Sequence, residues 1–208
     1  MMMNPFVKVS GIGAPLMRTN VDTDQITPGR TGLKVETSGF GRGLFFNWRY
    51  FPDGSDNPQF VLNQEPYRHA SFLVAGANFG CGSSREFAVF ALRDFGFRAI
   101  IAPSFGAIFT SNCFTNGVLP IVLDEPSCNE IAANLAPNRA EMSVDLQNEV
   151  VISSSGHSYP FHVPALHRER ILEGLDPVEL TLKREPLIAA FQARDAKKRP
   201  WVYLERKL

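Results

Sequence analysis

Asn78-Phe79-Gly80-Cys81-Gly82-Ser83-Ser84-Arg85-Glu86 runs directly into an apolar stretch, Phe87-Ala88-Val89-Phe90-Ala91-Leu92. The glycines let the backbone turn tightly and approach a ligand closely. Two adjacent hydroxyls and a guanidinium follow, and then a helix-compatible run. Ser83 and Glu86 stand three apart, the spacing of a capping box, so the pattern predicts a loop ending at a helix N-terminus. Backbone N–H groups and the positive end of the helix dipole favour an anion there. Arg85 adds a planar, bidentate partner for a carboxylate. The bland alternative is a Gly-rich turn feeding a capped helix, since Ser-x-x-Glu alone marks only a helix start.

Working outward, Ser71-Phe72-Leu73-Val74-Ala75 reads as a buried strand entering the loop. The helix is expected over about 84 to 95, with Gly96 as its stop. Arg98-Ala99-Ile100-Ile101-Ala102-Pro103 reads as a second strand, residues 104 to 116 as a second helix, and Leu119-Pro120-Ile121-Val122-Leu123 as a third strand. This alternation with short connections implies an α/β fold with a parallel element. Residues 6 to 17 are a weaker first strand. Residues 142 to 152 and 158 to 163 read as a hairpin around Ser154-Ser155-Gly156, and two helices are expected over 164 to 174 and 184 to 195. From Arg30 to Gly43 glycines recur and periodicity fails, which predicts a mobile loop. The chain is read as one domain, with a core over about 6 to 165, a helical extension over about 165 to 195 and a basic tail over 196 to 208.

Lys plus Arg and Asp plus Glu both number 21, so the formal net charge is zero. That argues against a general nucleic-acid or membrane-surface binder. Seventeen phenylalanines demand a sizeable core or an interface. Cys81, Cys113 and Cys128 are odd in number and widely spaced, with no C-x-x-C, so neither a disulfide framework nor a metal site is expected. A reducing cytoplasm fits best. The first residues lack a basic region followed by an apolar run, so no signal peptide is expected, and no apolar stretch approaches transmembrane length.

Other candidates are weaker. Asp22 and Asp24 are either paired acids or, more commonly, turn residues. His157, His162 and His167 lack partners at ligand spacing and read as ordinary histidines. Cys81 sits where a helix N-terminus would lower a thiol pKa, but no histidine base lies nearby in sequence, so a packing role is expected.

Two segments together resemble the aconitase swivel-domain family. Asn20-Val21-Asp22-Thr23-Asp24-Gln25-Ile26 is similar to its N-terminal signature, and residues 80 to 86 to its Gly-x-Gly-Ser-Ser-Arg-Glu signature. Gly39-Phe40-Gly41, Asn47-Trp48-Arg49, Ile101-Ala102-Pro103-Ser104-Phe105 and Gly174-Leu175-Asp176 match further. The resemblance runs from about residue 6 to about residue 195. Length and order fit the stand-alone form of the domain, the small subunits of 3-isopropylmalate dehydratases.

The resemblance implies a swivelling three-layer β/β/α domain. It implies a hydro-lyase that moves a hydroxyl between adjacent carbons of a hydroxy-acid. A [4Fe-4S] cluster is expected as Lewis acid, held by cysteines of a separate large subunit, so this chain would be inactive alone. Ser83 matches the family's catalytic base, Arg85 the arginine that binds substrate carboxylate, Ser84 the neighbouring hydroxyl contact, and Asp24 an aspartate acting on the leaving hydroxyl. Asp22 and Thr23 shape the turn around Asp24. Arg30, Leu33 and Lys34 fall in the loop that folds over the substrate's variable group.

Two departures from the family pattern stand out; the first is read as structural and leaves the serine and arginine intact, and the second bears on substrate. Phe87 stands where the family usually has His. The aromatic-Leu pair common in isopropylmalate enzymes is missing near Thr31-Gly32. The readings left open are isopropylmalate, a methyl- or dimethyl-substituted malate or another C4 to C6 acid, and a non-catalytic module that kept the fold.

Overall fold

The computed structural model describes residues 4–29 and 39–203. Among these, seven strands form one mixed sheet: β1 Lys8–Leu16, β2 Ala70–Ala75, β3 Ala99–Ala102, β4 Leu119–Val122, β5 Glu141–Asp145, β6 Val150–Ile152 and β7 Ser158–Pro160. Their order is β4-β3-β2-β1-β5-β6-β7. The first four strands in sequence are mutually parallel, with Leu73 opposite Ala14 and Ile100. β1 turns antiparallel to β5 and so joins the two halves.

The central strands β2 and β3 are buried on both faces and are therefore nearly continuous apolar runs rather than alternating ones. One face, with Leu73, Ala75, Ile100 and Ala102, packs against two helices, α3 (Glu86–Phe95) and α4 (Ala107–Thr115). From α3 it receives Ala88, Val89, Ala91 and Leu92. The opposite face, with Phe72, Val74, Ile101 and Ile121, shares a core with Met142, Val144, Val151 and Tyr159 of the antiparallel half. The antiparallel half therefore curls over the parallel one. Helix, parallel sheet and antiparallel sheet make the three β/β/α layers.

Two short helices precede these, α1 (Thr23–Ile26) and α2 (Phe46–Arg49). Residues 30–38 of the expected mobile loop lie outside the described residues, whereas Phe40–Gly43 forms a 3-10 turn. That turn is tied to α3 by Gly41 N–H donating to Asp94 Oδ2 (2.7 Å), and Arg49 Nη1 donates to Gly41 C=O (3.0 Å).

One element is unexpected, and two expectations need correction. A helix, α5 (Glu125–Asn134), follows β4; Asp124 caps it by accepting from Ser127 N–H at 2.8 Å, with Pro126 in its first turn. Its weak amphipathic pattern hides it, because only Cys128 and Ile131 reach the core. The expected hairpin is a three-strand meander, since the chain turns at Gln147 to Glu149, where Glu149 has φ 53° and Asp145 Oδ1 accepts from Asn148 N–H at 2.9 Å. The C-terminal part holds three helices rather than two: α6 (Ala165–Glu173), α7 (Pro177–Leu182) and α8 (Glu185–Lys198). Asp176 caps α7 in a full capping box with Glu179, a signature placed directly after the Gly174 stop.

Candidate active site

The loops that leave β1, β2 and β3 meet at the C-terminal edge of the parallel strands, the edge where open α/β sheets hold ligands. The pairing of these loops continues the sheet in miniature. Gly80 N–H donates to Val21 C=O (2.7 Å), Thr23 N–H to Cys81 C=O (3.0 Å), Phe79 N–H to Ser104 C=O (3.0 Å) and Gly106 N–H to Phe79 C=O (2.9 Å). Thr23 Oγ1 then donates to Ser83 C=O at 2.8 Å. The 20–26 signature and the 80–86 signature are thus two sides of one hydrogen-bonded structure.

Glycine is required at two of these positions. Gly80 has φ +71°, and a Cβ there would lie 2.2 Å from the Phe109 ring. A Cβ at Gly106 would lie 2.4 Å from Gly80 C=O. The strands of this miniature sheet approach too closely for any side chain between them.

The expected helix start is present but the expected cap is not. α3 begins at Glu86 with Arg85 in the N-cap position, in extended conformation and without a side-chain cap. Ser83 lies two residues before the N-cap, with its carbonyl tied to Thr23. The Glu86 carboxylate does not reach back; it accepts from Asn116 Nδ2 at 3.0 Å. The capping box of this region belongs instead to Asp22, which accepts from Gln25 N–H (2.7 Å) while Gln25 Oε1 accepts from Asp22 N–H (3.0 Å). Asp22 is therefore a turn residue, and its cap turns Asp24 outward. The uncapped start of α3 leaves first-turn N–H groups for solvent or a ligand.

The structure brings Ser83, Ser84, Arg85 and Asp24 together. Arg85 Nη1 forms an ion pair with Asp24 Oδ1. A Cβ on Gly29 would lie 3.3 Å from the same Nη1, so Arg85 packs against bare backbone there. Two hollows open beside Arg85. The smaller, about 280 Å³, is lined by Ser83, Cys81, Thr23, Asn112 and the glycines of the loop. The larger, about 560 Å³, is lined by Thr27, Pro28, Ser84, Phe87, Phe90 and Asn112. Arg85 and Asn112 line both. The candidate substrate residues Arg30, Leu33 and Lys34 lie outside the described residues.

Asn112, Thr27 and Phe90 carry no local signal of function. Asn112 arrives from α4, and only the parallel topology, which starts α4 on the same edge as α3, could have pointed to it. Thr27 is 3% exposed, and its Oγ1 has no hydrogen-bond partner among the described residues.

The histidines behave as expected of ordinary ones. His157 Nδ1 pairs with Glu130 Oε1 (2.8 Å), His162 lies near Glu149 (3.4 Å), and His167 stacks on Phe114 at 4.2 Å. Burial, with Arg170 nearby, lowers the His167 pKa.

A cluster does not fit this chain's cysteines. Cys113 lies in the α3/α4 core and Cys128 in the opposite one. Burial pushes the Cys113 thiol well up, and burial with Asp124 and Glu125 pushes Cys128 up to about 11. Thiolate, the ligating form, is disfavoured at both. Among the described residues no His, Cys, Asp and Glu groups converge to hold a metal. No helix of the described residues is long and apolar enough to cross a membrane.

The aconitase C-terminal domain family matches residues 3–126, which contain both signatures. A 3-isopropylmalate dehydratase small subunit of Cupriavidus necator is 48% identical over 207 residues, covering 98% of this chain and all of the relative. That of Brevibacillus brevis is 49% identical over 194 residues, covering 92% of this chain and all of the relative. The crystal structure of a 3-isopropylmalate dehydratase from Methanocaldococcus jannaschii aligns with a TM-score of 0.64 at 27% identity, covering 88% of this chain and 99% of that one. With a family model matching residues 3–126 and an identity near one half along its length, this chain belongs to the aconitase C-terminal domain family, among the small subunits of 3-isopropylmalate dehydratases.

Proposed function

We propose that this chain is the small subunit of a two-chain hydro-lyase that interconverts 2- and 3-isopropylmalate in leucine biosynthesis, with Ser83, Arg85 and Asp24 as its working residues. The observation that carries the reading is their convergence: residues 61 positions apart meet at the mouth of two adjoining hollows beside an uncapped helix start.

Arg85 takes a substrate carboxylate in its planar fork, and Ser84 adds a hydroxyl contact. Ser83 Oγ removes the proton from the carbon beside a carboxylate. The C–O bond on the neighbouring carbon breaks, a C=C bond forms, and water adds back with the positions exchanged. A serine is a weak base, so its oxyanion needs fixed donors and a cation close by; the α3 N-terminus and Arg85 are the groups at hand. Asp24, once a substrate carboxylate takes its place on Arg85, is free to act on the departing hydroxyl with groups of the partner chain. Arg30, Leu33 and Lys34 complete the proposed substrate-binding set on the family resemblance alone.

The [4Fe-4S] cluster, a Lewis acid for the hydroxyl, belongs to the large subunit in this reading, since the thiols here do not fit a ligand set. A small dicarboxylate is the substrate, neither nucleic acid nor membrane is a partner, and the cytoplasm is the compartment. A second reading, a hydro-lyase for citramalate, dimethylmalate or another C4 to C6 acid, draws on the aromatic-Leu pair missing near Thr31-Gly32.

The test is anaerobic co-expression with the large subunit, followed by a hydration assay in the near ultraviolet on isopropylmaleate, citraconate, dimethylmaleate and maleate. Preferred turnover of isopropylmaleate supports the first reading and preference for another acid supports the second. No turnover by a cluster-loaded complex points to a non-catalytic module.

A further inference from the structure

The two hollows differ in size. The smaller, about 280 Å³, has Ser83 and Thr23 together with Ile108 and Phe109; the larger, about 560 Å³, has Pro28, Phe87 and Phe90 together with Thr27 and Ser84. Arg85 borders both. A substrate with one carboxylate on Arg85 and its reacting carbon at Ser83 therefore directs its remaining substituent into the larger hollow.

Phe87 dominates that wall. It is 47% exposed on the first turn of α3, while the core face of the same helix is filled by Ala88, Val89, Ala91 and Leu92. Its ring stacks on Phe40 at 5.8 Å and meets Phe90 edge-on at 6.0 Å, and Phe40 lies 5.6 Å from Phe90. Three rings hold one another in place around a half-exposed face, so that face is a rigid apolar surface beside a guanidinium. The core does not need it. The buried Thr27 hydroxyl in the same wall has no hydrogen-bond partner among the described residues.

We propose that Phe87, braced by Phe40 and Phe90, is the seat for the branched alkyl substituent of the substrate, and that it is the residue of this chain that favours an isopropyl group over a methyl or a hydrogen at that position. The proposal rests on the dehydratase reading above. A hollow of about 560 Å³ has room for more than a methyl group. Burying added carbon against a fixed apolar wall is favourable in proportion to area, and of the two charges among the described lining residues, Arg85 is taken by the substrate carboxylate and Glu86 is held by Asn116.

The experiment uses the reconstituted, cluster-loaded two-chain complex. Steady-state hydration of isopropylmaleate and of citraconate is compared for the parent, Phe87→Ser and Phe87→Leu. Loss of an apolar wall is expected to lower the isopropyl-to-methyl ratio of kcat/KM about tenfold in Phe87→Ser, chiefly through KM. Phe87→Leu, apolar but not aromatic, should recover most of that ratio. Thermal melting and gel filtration of each complex establish folding and assembly; Phe87→Gln, polar but larger, tests the same loss of ratio if the serine variant does not assemble. An unchanged ratio in a folded Phe87→Ser complex, or equal losses on both acids, overturns the proposal. Failure of the underlying reading looks different: the parent complex itself then turns over neither acid, and the proposal falls with it.

Discussion

Arg85 Nη1 and Asp24 Oδ1, 61 residues apart in sequence, are joined in an ion pair at the mouth shared by the two hollows. The side chains are 29% and 58% exposed, so the pair is solvated. Exposed pairs of this kind contribute about 0–1 kcal/mol, weak enough for a substrate carboxylate to displace Asp24. Asp24→Asn should therefore leave KM unchanged or lowered while kcat falls, because it removes a competitor for Arg85 together with a group needed later. Arg85→Lys should instead raise KM, because a point charge does not replace the fork. Steady-state kinetics of the assembled complex separate the two patterns.

Ser83→Ala tests the base. Ser83 is exposed at the hollow and its carbonyl, not its side chain, takes the Thr23 hydrogen bond. The variant should fold and assemble normally and lose about 10²- to 10⁴-fold in kcat, the range of a positioned proton-transfer group. Near-parent turnover would falsify the assignment.

The glycine loop makes a graded stability prediction. Gly80→Ala combines a left-handed φ with a Cβ 2.2 Å from the Phe109 ring, whereas Gly82→Ala, at φ +86°, meets Asp22 Cβ at an ordinary 3.4 Å. Gly82→Ala should cost about 1–2 kcal/mol from backbone strain alone. Gly80→Ala should cost at least about 1–3 kcal/mol more through overpacking. Urea unfolding of the two variants should rank them in that order.

His167 gives a pH dependence. Its pKa is lowered from 6.5 by burial and by Arg170, and the ring is stacked on Phe114. A depressed folded-state pKa means that the unfolded chain takes up the proton first. The stabilising contribution is thus fully present above about pH 6.5 and is lost as pH falls through the lower folded value. His167→Gln should flatten the melting-temperature profile in that window relative to the parent. Identical profiles would show that the stacked ring titrates as it does in the unfolded chain.

Thiol labelling should distinguish the cysteines. Cys81 is partly exposed in the site loop, while Cys113 and Cys128 are buried with raised pKa values. A maleimide reagent should modify one thiol rapidly in the native chain and all three after unfolding. Modification of Cys81 should be slowed by a dicarboxylate bound in the hollow it lines.

What the sequence determined by itself was local and repetitive. The apolar run 71–75 can only be a buried strand next to a glycine turn, Gly96 ends α3 because it reaches φ 123°, and β3 and β4 follow at the spacing of crossovers. These features follow from backbone sterics and burial within a dozen residues. The trio Ser83, Ser84 and Arg85 was equally legible, because its neighbours in space are its neighbours in sequence. Asp24 was recognisable through family resemblance, but its contact with Arg85 was not, since nothing within either segment encodes the other. Only the tertiary structure decided what cannot be read one window at a time. It assigned the capping box to Asp22 rather than Ser83, whose carbonyl is tied to Thr23. It placed Asn112 from α4 between two hollows, and it packed Phe40 onto Phe87 and Phe90 of one cavity wall. Each of these depends on long-range pairing across the edge of the parallel sheet, where the energy of a contact is shared between segments that are silent when read alone.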